Sequence, residues 1–258
     1  MTLLDVQHLT AGYTAPVVQD VSFQLQAGQL TGLLGRNGCG KTTLLRGLTG
    51  AAKVFGGTAG AAGQDCLHTK PRQRAKQLAF LPQRTQLLQG MRVGEVICMG
   101  RYVHSGPFAG PGPGDEQAAR DAAEQLGIAD LWGRDCSALS EGQRQLVHLA
   151  RVAAQDAPVL LLDEPSSALD VCNSSQLFRR VRQMTAGQNK AALVVLHDPA
   201  LALRWCDVLL RMEGGTLTGS LNPREASCAQ AQSFLAQLYP GIRVKRDGET
   251  GCFYCLMD

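Results

Sequence analysis

"GRNGCGKTT", Gly35–Thr43, decides how this chain folds. It fits G-x-x-x-x-G-K-[ST], follows the apolar run "LTGLL" and opens a helical pattern over Lys41–Leu48, the context that a phosphate-binding loop requires. Glycines at Gly35, Gly38 and Gly40 let consecutive backbone N–H groups, from Asn37 through Thr43, converge on phosphate oxygens, and the helix N-terminus adds partial positive charge. Lys41 then reaches the β- and γ-phosphates and the Thr42 hydroxyl ligates Mg²⁺. Cys39 contributes its backbone N–H to this loop.

A second signal is "VLLLDEP", an apolar strand ending in Asp163 and Glu164. Carboxylates at the carboxyl end of a buried strand face the ligand crevice of open α/β folds. Asp163 suits Mg²⁺ through water, and Glu164 is placed to orient and deprotonate an attacking water. Together the two motifs point to hydrolysis of a nucleotide.

The rest of the chain supplies the sheet. Residues 3–34 alternate short β-type runs with turns, and Leu78–Leu81 reads as a buried strand. "PVLLLDEP" and "AALVVLHD" are short continuous apolar runs on either side of a helix over Asp170–Thr185, a strand–helix–strand unit that implies a parallel sheet. Residues 92–104 and 115–155 are helical in pattern, separated by "SGPFAGPGPG", read as a connector without regular structure. "DVLLRMEGGTLTGS" reads as a closing hairpin, followed by a last helix over 223–238 and a tail.

With 258 residues and a net charge of +3, the chain can bury a large core but lacks the basic runs of a nucleic-acid or lipid binder. Its apolar runs fall short of the roughly 18 residues of a membrane span, and the N-terminus lacks a secretory pattern. Nine scattered cysteines therefore read as reduced thiols, the pair Cys252 and Cys255 in "GCFYC" included.

With "LSEGQ" at Leu139–Gln143 beside both nucleotide motifs, the chain resembles the ATPase subunits of ATP-binding cassette (ABC) transporters from near Tyr13 to about Gly219. The resemblance implies a P-loop NTPase core with an N-terminal antiparallel β subdomain, an inserted helical subdomain, and ATP and Mg²⁺ as cofactors. It divides the chain into a discontinuous core, 1–84 and 156–220, a helical subdomain, 85–155, and a C-terminal helix and tail, 221–258. It implies that Tyr13 stacks on adenine, that Gln83 senses Mg²⁺ and the attacking water, and that His197 contacts the γ-phosphate. Ser140, Gly142 and Gln143 of the signature are implied to bind the ATP held by a second copy, and "SSALD" with Asp170 to pass signals between copies. The implied partners are that second copy, transmembrane permease subunits at the cytoplasmic face of the membrane, and indirectly a substrate-binding protein.

"MGRYVH", "SSALDV" and "HDPALALRWCD" resemble the importer ATPases for iron(III) siderophores, haem and cobalamin. Two positions depart from the pattern. Glu141 stands where glycine is common, and Leu146 follows "GQRQ" where a basic residue is frequent. A carboxylate there repels a γ-phosphate unless it turns outward or pairs with a cation such as Arg144. An exporter ATPase, a non-transport ABC ATPase, a P-loop small-molecule kinase and an inactive nucleotide-binding module are the rival readings.

Overall fold

The protein is described from a computed structural model in which residues 1–83, 90–106, 110–167, 169–187 and 189–257 are placed. The N-terminal runs form β1 (Thr2–Gly12) and β2 (Pro16–Gln26), and the run before the phosphate loop forms β3 (Leu30–Gly35), buried throughout. After the loop come α1 (Lys41–Thr49), β4 (Lys53–Ala61), β5 (Gln64–Asp65), α2 (Pro71–Ala75) and β6 (Leu78–Leu81). The helical stretch holds α3 (Val93–Cys98), α4 (Pro113–Gln125) and α5 (Glu141–Ala154). The chain then runs β7 (Val159–Asp163), α6 (Val171–Gly187), β8 (Ala191–Val195), α7 (Pro199–Trp205), β9 (Val208–Glu213) and β10 (Thr216–Leu221). It ends in α8 (Cys228–Ala236), β11 (Ile242–Arg246) and β12 (Phe253–Met257).

Two sheets carry the fold, as the mixed α/β expectation requires. One is antiparallel with order β2-β1-β4-β5, and the other has order β10-β9-β3-β8-β7-β6, parallel except where β10 pairs with β9. Alternation along the central strands explains why they read as continuous apolar runs. Leu33, Leu161 and Leu193 pack with Leu44, Leu45 and Leu48 of α1 and with Leu4, Val6 and Leu25 of the antiparallel sheet. Leu34, Leu160, Leu162 and Val194 face the other way, into a core shared with α3–α7. Each fully buried leucine is worth about 1.5–3 kcal/mol, so a polar residue on either face would be costly. This register puts the carboxyl ends of β3, β8, β7 and β6 side by side.

Three details differ from the sequence reading. Helix α4 starts at Pro113, inside the proline- and glycine-rich stretch, because proline suits the first helical position; residues 107–109 of that stretch lie outside the described residues. The last helix is shorter than 223–238, starting where the Ser227 hydroxyl accepts from the Gln230 N–H at 3.2 Å. The tail is not plain: β11 and β12 pair as an antiparallel hairpin, with Ile242, Val244 and Phe253 buried against Phe234 and Leu235 of α8.

Candidate functional site

The turn from β3 into α1 is shaped by its glycines. Gly40, the residue before α1, sits at φ 108°, a conformation costly for any residue with a Cβ. At Gly35 an added Cβ would lie 2.5 Å from the Cys39 sulfur and 2.5 Å from the Met212 carbonyl. No side chain caps α1, so its first N–H groups point out unclaimed, a ready anion site. Lys41 is 6% exposed, and its Nζ donates to the carbonyls of Gly35 at 2.7 Å and Arg36 at 3.1 Å. The loop thus stores a desolvated ammonium at the rim of a cavity of about 510 Å³ lined by Asn37, Gly38, Thr42 and Thr43 among others. The Cys39 N–H, expected to face phosphate, here donates to Arg36 O at 3.2 Å.

Opposite the loop, three neighbouring strand ends deliver three side chains to the same cavity: Gln83 follows β6, Glu164 follows β7 and His197 follows β8. Gln83 Nε2 donates to Glu164 Oε2 at 2.6 Å, and His197 Nε2 hydrogen-bonds Glu164 Oε1. Both oxygens of the carboxylate are therefore held by neighbouring strand ends. Glu164 also sits at φ 51°, uncommon for a residue with a Cβ and of the kind found where function dictates backbone conformation.

Asp163 is 1% exposed, and neither of its oxygens makes a hydrogen bond. Burial pushes its carboxyl above the usual range; the Thr42 hydroxyl close by pulls the other way without completing a bond. A buried carboxylate without a donor is unstable as an anion unless a cation completes it. Asp163 with Thr42 and Gln83 therefore fits Mg²⁺, which binds through few protein oxygens and takes the rest from phosphates and water.

The other candidates lie outside this cavity. Tyr13 is exposed and its hydroxyl accepts from Arg46 Nη1 of α1 at 3.0 Å. Asp170 accepts from the Asn173 N–H at 2.8 Å, anchoring the start of α6, while Ala168 in the same loop and Arg84 after Gln83 lie outside the described residues. Ser140 and Gln143 cap α5 reciprocally: the serine hydroxyl accepts from the Gln143 N–H at 3.3 Å and the Gln143 side chain accepts from the Ser140 N–H at 3.1 Å. Gly142 packs closely under Leu169, where a Cβ would lie 2.9 Å from Cδ2. Glu141 points outward, its side chain 65% exposed and paired with Arg144 at 3.2 Å. That pairing offsets part of the repulsion a carboxylate at this place would bring.

One contact was missed in the sequence. The Tyr239 hydroxyl, just after α8, donates to the His197 carbonyl at 2.6 Å, and burial pushes that phenol up to about 12, so it remains a donor throughout the physiological range. No motif marks it, because the acceptor is backbone. Tyr239→Phe removes a bond worth about 1 kcal/mol and should lower kcat about threefold to tenfold, with KM for ATP and Tm little changed. Unchanged kcat would show that His197 needs no such tether.

Of the cysteines, all nine are free thiols; Cys252 is exposed, and burial raises the Cys255 thiol to about 11. Among the described residues no helix is long and apolar enough to cross a membrane.

Residues 18–167 match the model of a family described as ABC transporter. The chain is 38% identical over 235 residues to the hemin import ATP-binding protein of Pseudomonas fluorescens, covering 87% of this chain and 90% of that one. It is 36% identical over 236 residues to the cobalamin import ATP-binding protein of Halobacterium salinarum, covering 91% of this chain and 58% of that longer protein. A solved inward-facing structure of a metal-chelate type ABC transporter superposes with a TM-score of 0.82 at 26% identity, over 99% of this chain and 96% of that chain.

Proposed function

The chain belongs to the ABC transporter family, and we propose that within it the protein is the ATP-hydrolysing subunit of an importer for an iron chelate, haem or a corrinoid. The observation that carries hydrolysis is the convergence of Gln83, Glu164 and His197 on the phosphate-loop cavity, and the likeness to hemin and cobalamin import ATP-binding proteins supports the importer and its substrate class. Lys41 neutralises the β- and γ-phosphates, Glu164 takes a proton from the attacking water, and His197 and Gln83 orient the γ-phosphate and that water. Mg²⁺, held through Asp163 and Thr42, supplies further charge neutralisation when bound. The contacts of Glu164 with Gln83 and His197 hold the three groups together at the place where the attacking water would sit.

Ser140, Gly142 and Gln143 lie outside the cavity of their own chain, which supports a head-to-tail dimer in which each signature helix caps the other copy's ATP. Tyr13 on the adenine side and Asp170 at the shared edge fit the same arrangement. We divide the chain accordingly into a core, 1–84 and 156–220, a helical subdomain, 85–155, and a C-terminal part, 221–258.

The permease is assigned to a groove of about 770 Å³ between α3 and α4, lined by Met91, Met99, Tyr102 and Trp132 and bearing the half-exposed Tyr102 ring. With the permease docked there, we propose that the subunit sits peripherally on the cytoplasmic side of the membrane and that a substrate-binding protein serves the far side. Purified in detergent from its own membranes, the chain should bring down a permease of many transmembrane helices, and Tyr102→Asp should reduce recovery about tenfold or more. In vesicles, ATP turnover should rise with a binding protein loaded with an iron chelate, haem or a corrinoid. Recovery of no membrane partner would overturn the transport reading, and ATP-driven outward movement of substrate would favour an exporter.

A further inference from the structure

A second cavity, sharing no lining residue with the nucleotide site, lies where α6, the end of α7 and the loop after β10 meet the C-terminal hairpin. Its volume is about 430 Å³, and four of its lining residues are arginines: Arg182, Arg204, Arg224 and Arg246. One carboxylate answers them. Arg182 grips Asp207 with both terminal nitrogens, at 2.5 and 2.8 Å, and Arg224 reaches the same carboxylate at 2.9 Å. Arg246 donates to the Ala226 carbonyl at 3.2 Å and lies over the Phe253 ring, 4.4 Å from its centroid. Arg204 lies over the Trp205 ring at 5.5 Å, with no carboxylate partner among the described residues. The walls thus keep a surplus of guanidinium charge, spread over aromatic faces that leave the forked N–H donors usable.

Trp205 adds an independent observation. It lines this cavity, yet its indole N–H is buried and has no acceptor among the described residues. Its ring lies beside Arg204 on the cavity wall, so a charge arriving at that arginine changes the surroundings of the indole.

We propose that this cavity is a binding site for a multivalent phosphoryl anion, held by the guanidinium forks of Arg204 and Arg246 with Arg224 beside them. Guanidinium forks match phosphate oxygens, and the surplus of positive charge matches a ligand of two or more negative charges. Arg246 comes from the hairpin and Arg204 from α7, so the ligand bridges the C-terminal hairpin to the helix that starts two residues after His197. The pairing of Arg182 with Asp207 builds the floor and is left intact by binding.

The chain has two tryptophans, Trp132 and Trp205, so Trp132→Phe leaves Trp205 as the sole reporter. With the nucleotide site filled by a magnesium-bound, non-hydrolysable ATP analogue, inorganic pyrophosphate at low salt should produce a saturable change in Trp205 emission. Replacing Arg204 and Arg246 together by alanine should raise the midpoint about tenfold or more, and the lysine pair should fall between, since it keeps charge but loses the fork. Both arginines are exposed, and an unchanged Tm will show that the double variant folds. Co-sedimentation with phosphatidylcholine vesicles containing cardiolipin, whose headgroup carries two phosphates, abolished by the alanine pair, would assign the phosphoryl group to lipid. A pyrophosphate response without co-sedimentation assigns it to a soluble anion. No response to either probe, or the same response in the alanine pair, would overturn the site.

Discussion

Glu164→Gln should lower ATP turnover about a thousandfold while leaving ATP affinity within about threefold, the range expected when a general base is lost but binding groups remain. The substitution is nearly isosteric. An amide oxygen still accepts from Gln83 or His197, and the backbone at φ 51° is no more strained for glutamine than for glutamate. What disappears is the group able to take a proton from water. Single-turnover measurement of ADP release checks this directly. Hydrolysis within tenfold of the native rate would mean that another group is the base, and an inactive binding module would show slow hydrolysis that the substitution does not change.

Lys41→Ala should weaken ATP binding about a hundredfold and bring hydrolysis below detection, because a buried cation at transferring phosphates is worth several kcal/mol in a desolvated site. Its ammonium is already stripped of most water and held by two loop carbonyls. Phosphate oxygens therefore compete for it against partners of modest strength. Lys41→Arg should not rescue, since a planar guanidinium does not fit where a compact ammonium is enclosed by the Gly35 and Arg36 carbonyls. Titration with a fluorescent ATP analogue measures the effect; affinity within threefold of native would contradict the assignment of Lys41.

These expectations rest on features of unequal visibility in the sequence. The phosphate loop and the strand ending in Asp163 and Glu164 were legible because motif and apolar run coincide, and neighbouring parallel strands must bring their carboxyl ends together. Gln83 and His197 were not legible as isolated residues; only the family resemblance drew attention to them, and the order β8-β7-β6 explains why they meet at Glu164. Glu141 finds the cation expected for it on its own helix, where Arg144 lies within reach one turn on. Ser140 and Gln143 also form a capping box, so part of the signature is spent on starting α5.

What the sequence hid is contact between distant segments. Tyr239 meets a backbone carbonyl 42 positions away, and the arginine cavity draws on two helices, a loop and a hairpin. The hairpin itself was obscured because its strands are only five residues each, although "IRVKR" alternates apolar and charged residues as a half-buried strand should.

The central claim is that one chain holds only half of each ATP site. Light scattering on the Glu164→Gln chain, without nucleotide and then at saturating ATP and Mg²⁺, tests it most directly. The account predicts one chain's mass without ATP and twice that mass with it, reverting to one when Ser140 and Gly142 are both replaced by bulky residues. A mass of one chain at saturating ATP, with binding confirmed in the same sample, would contradict it.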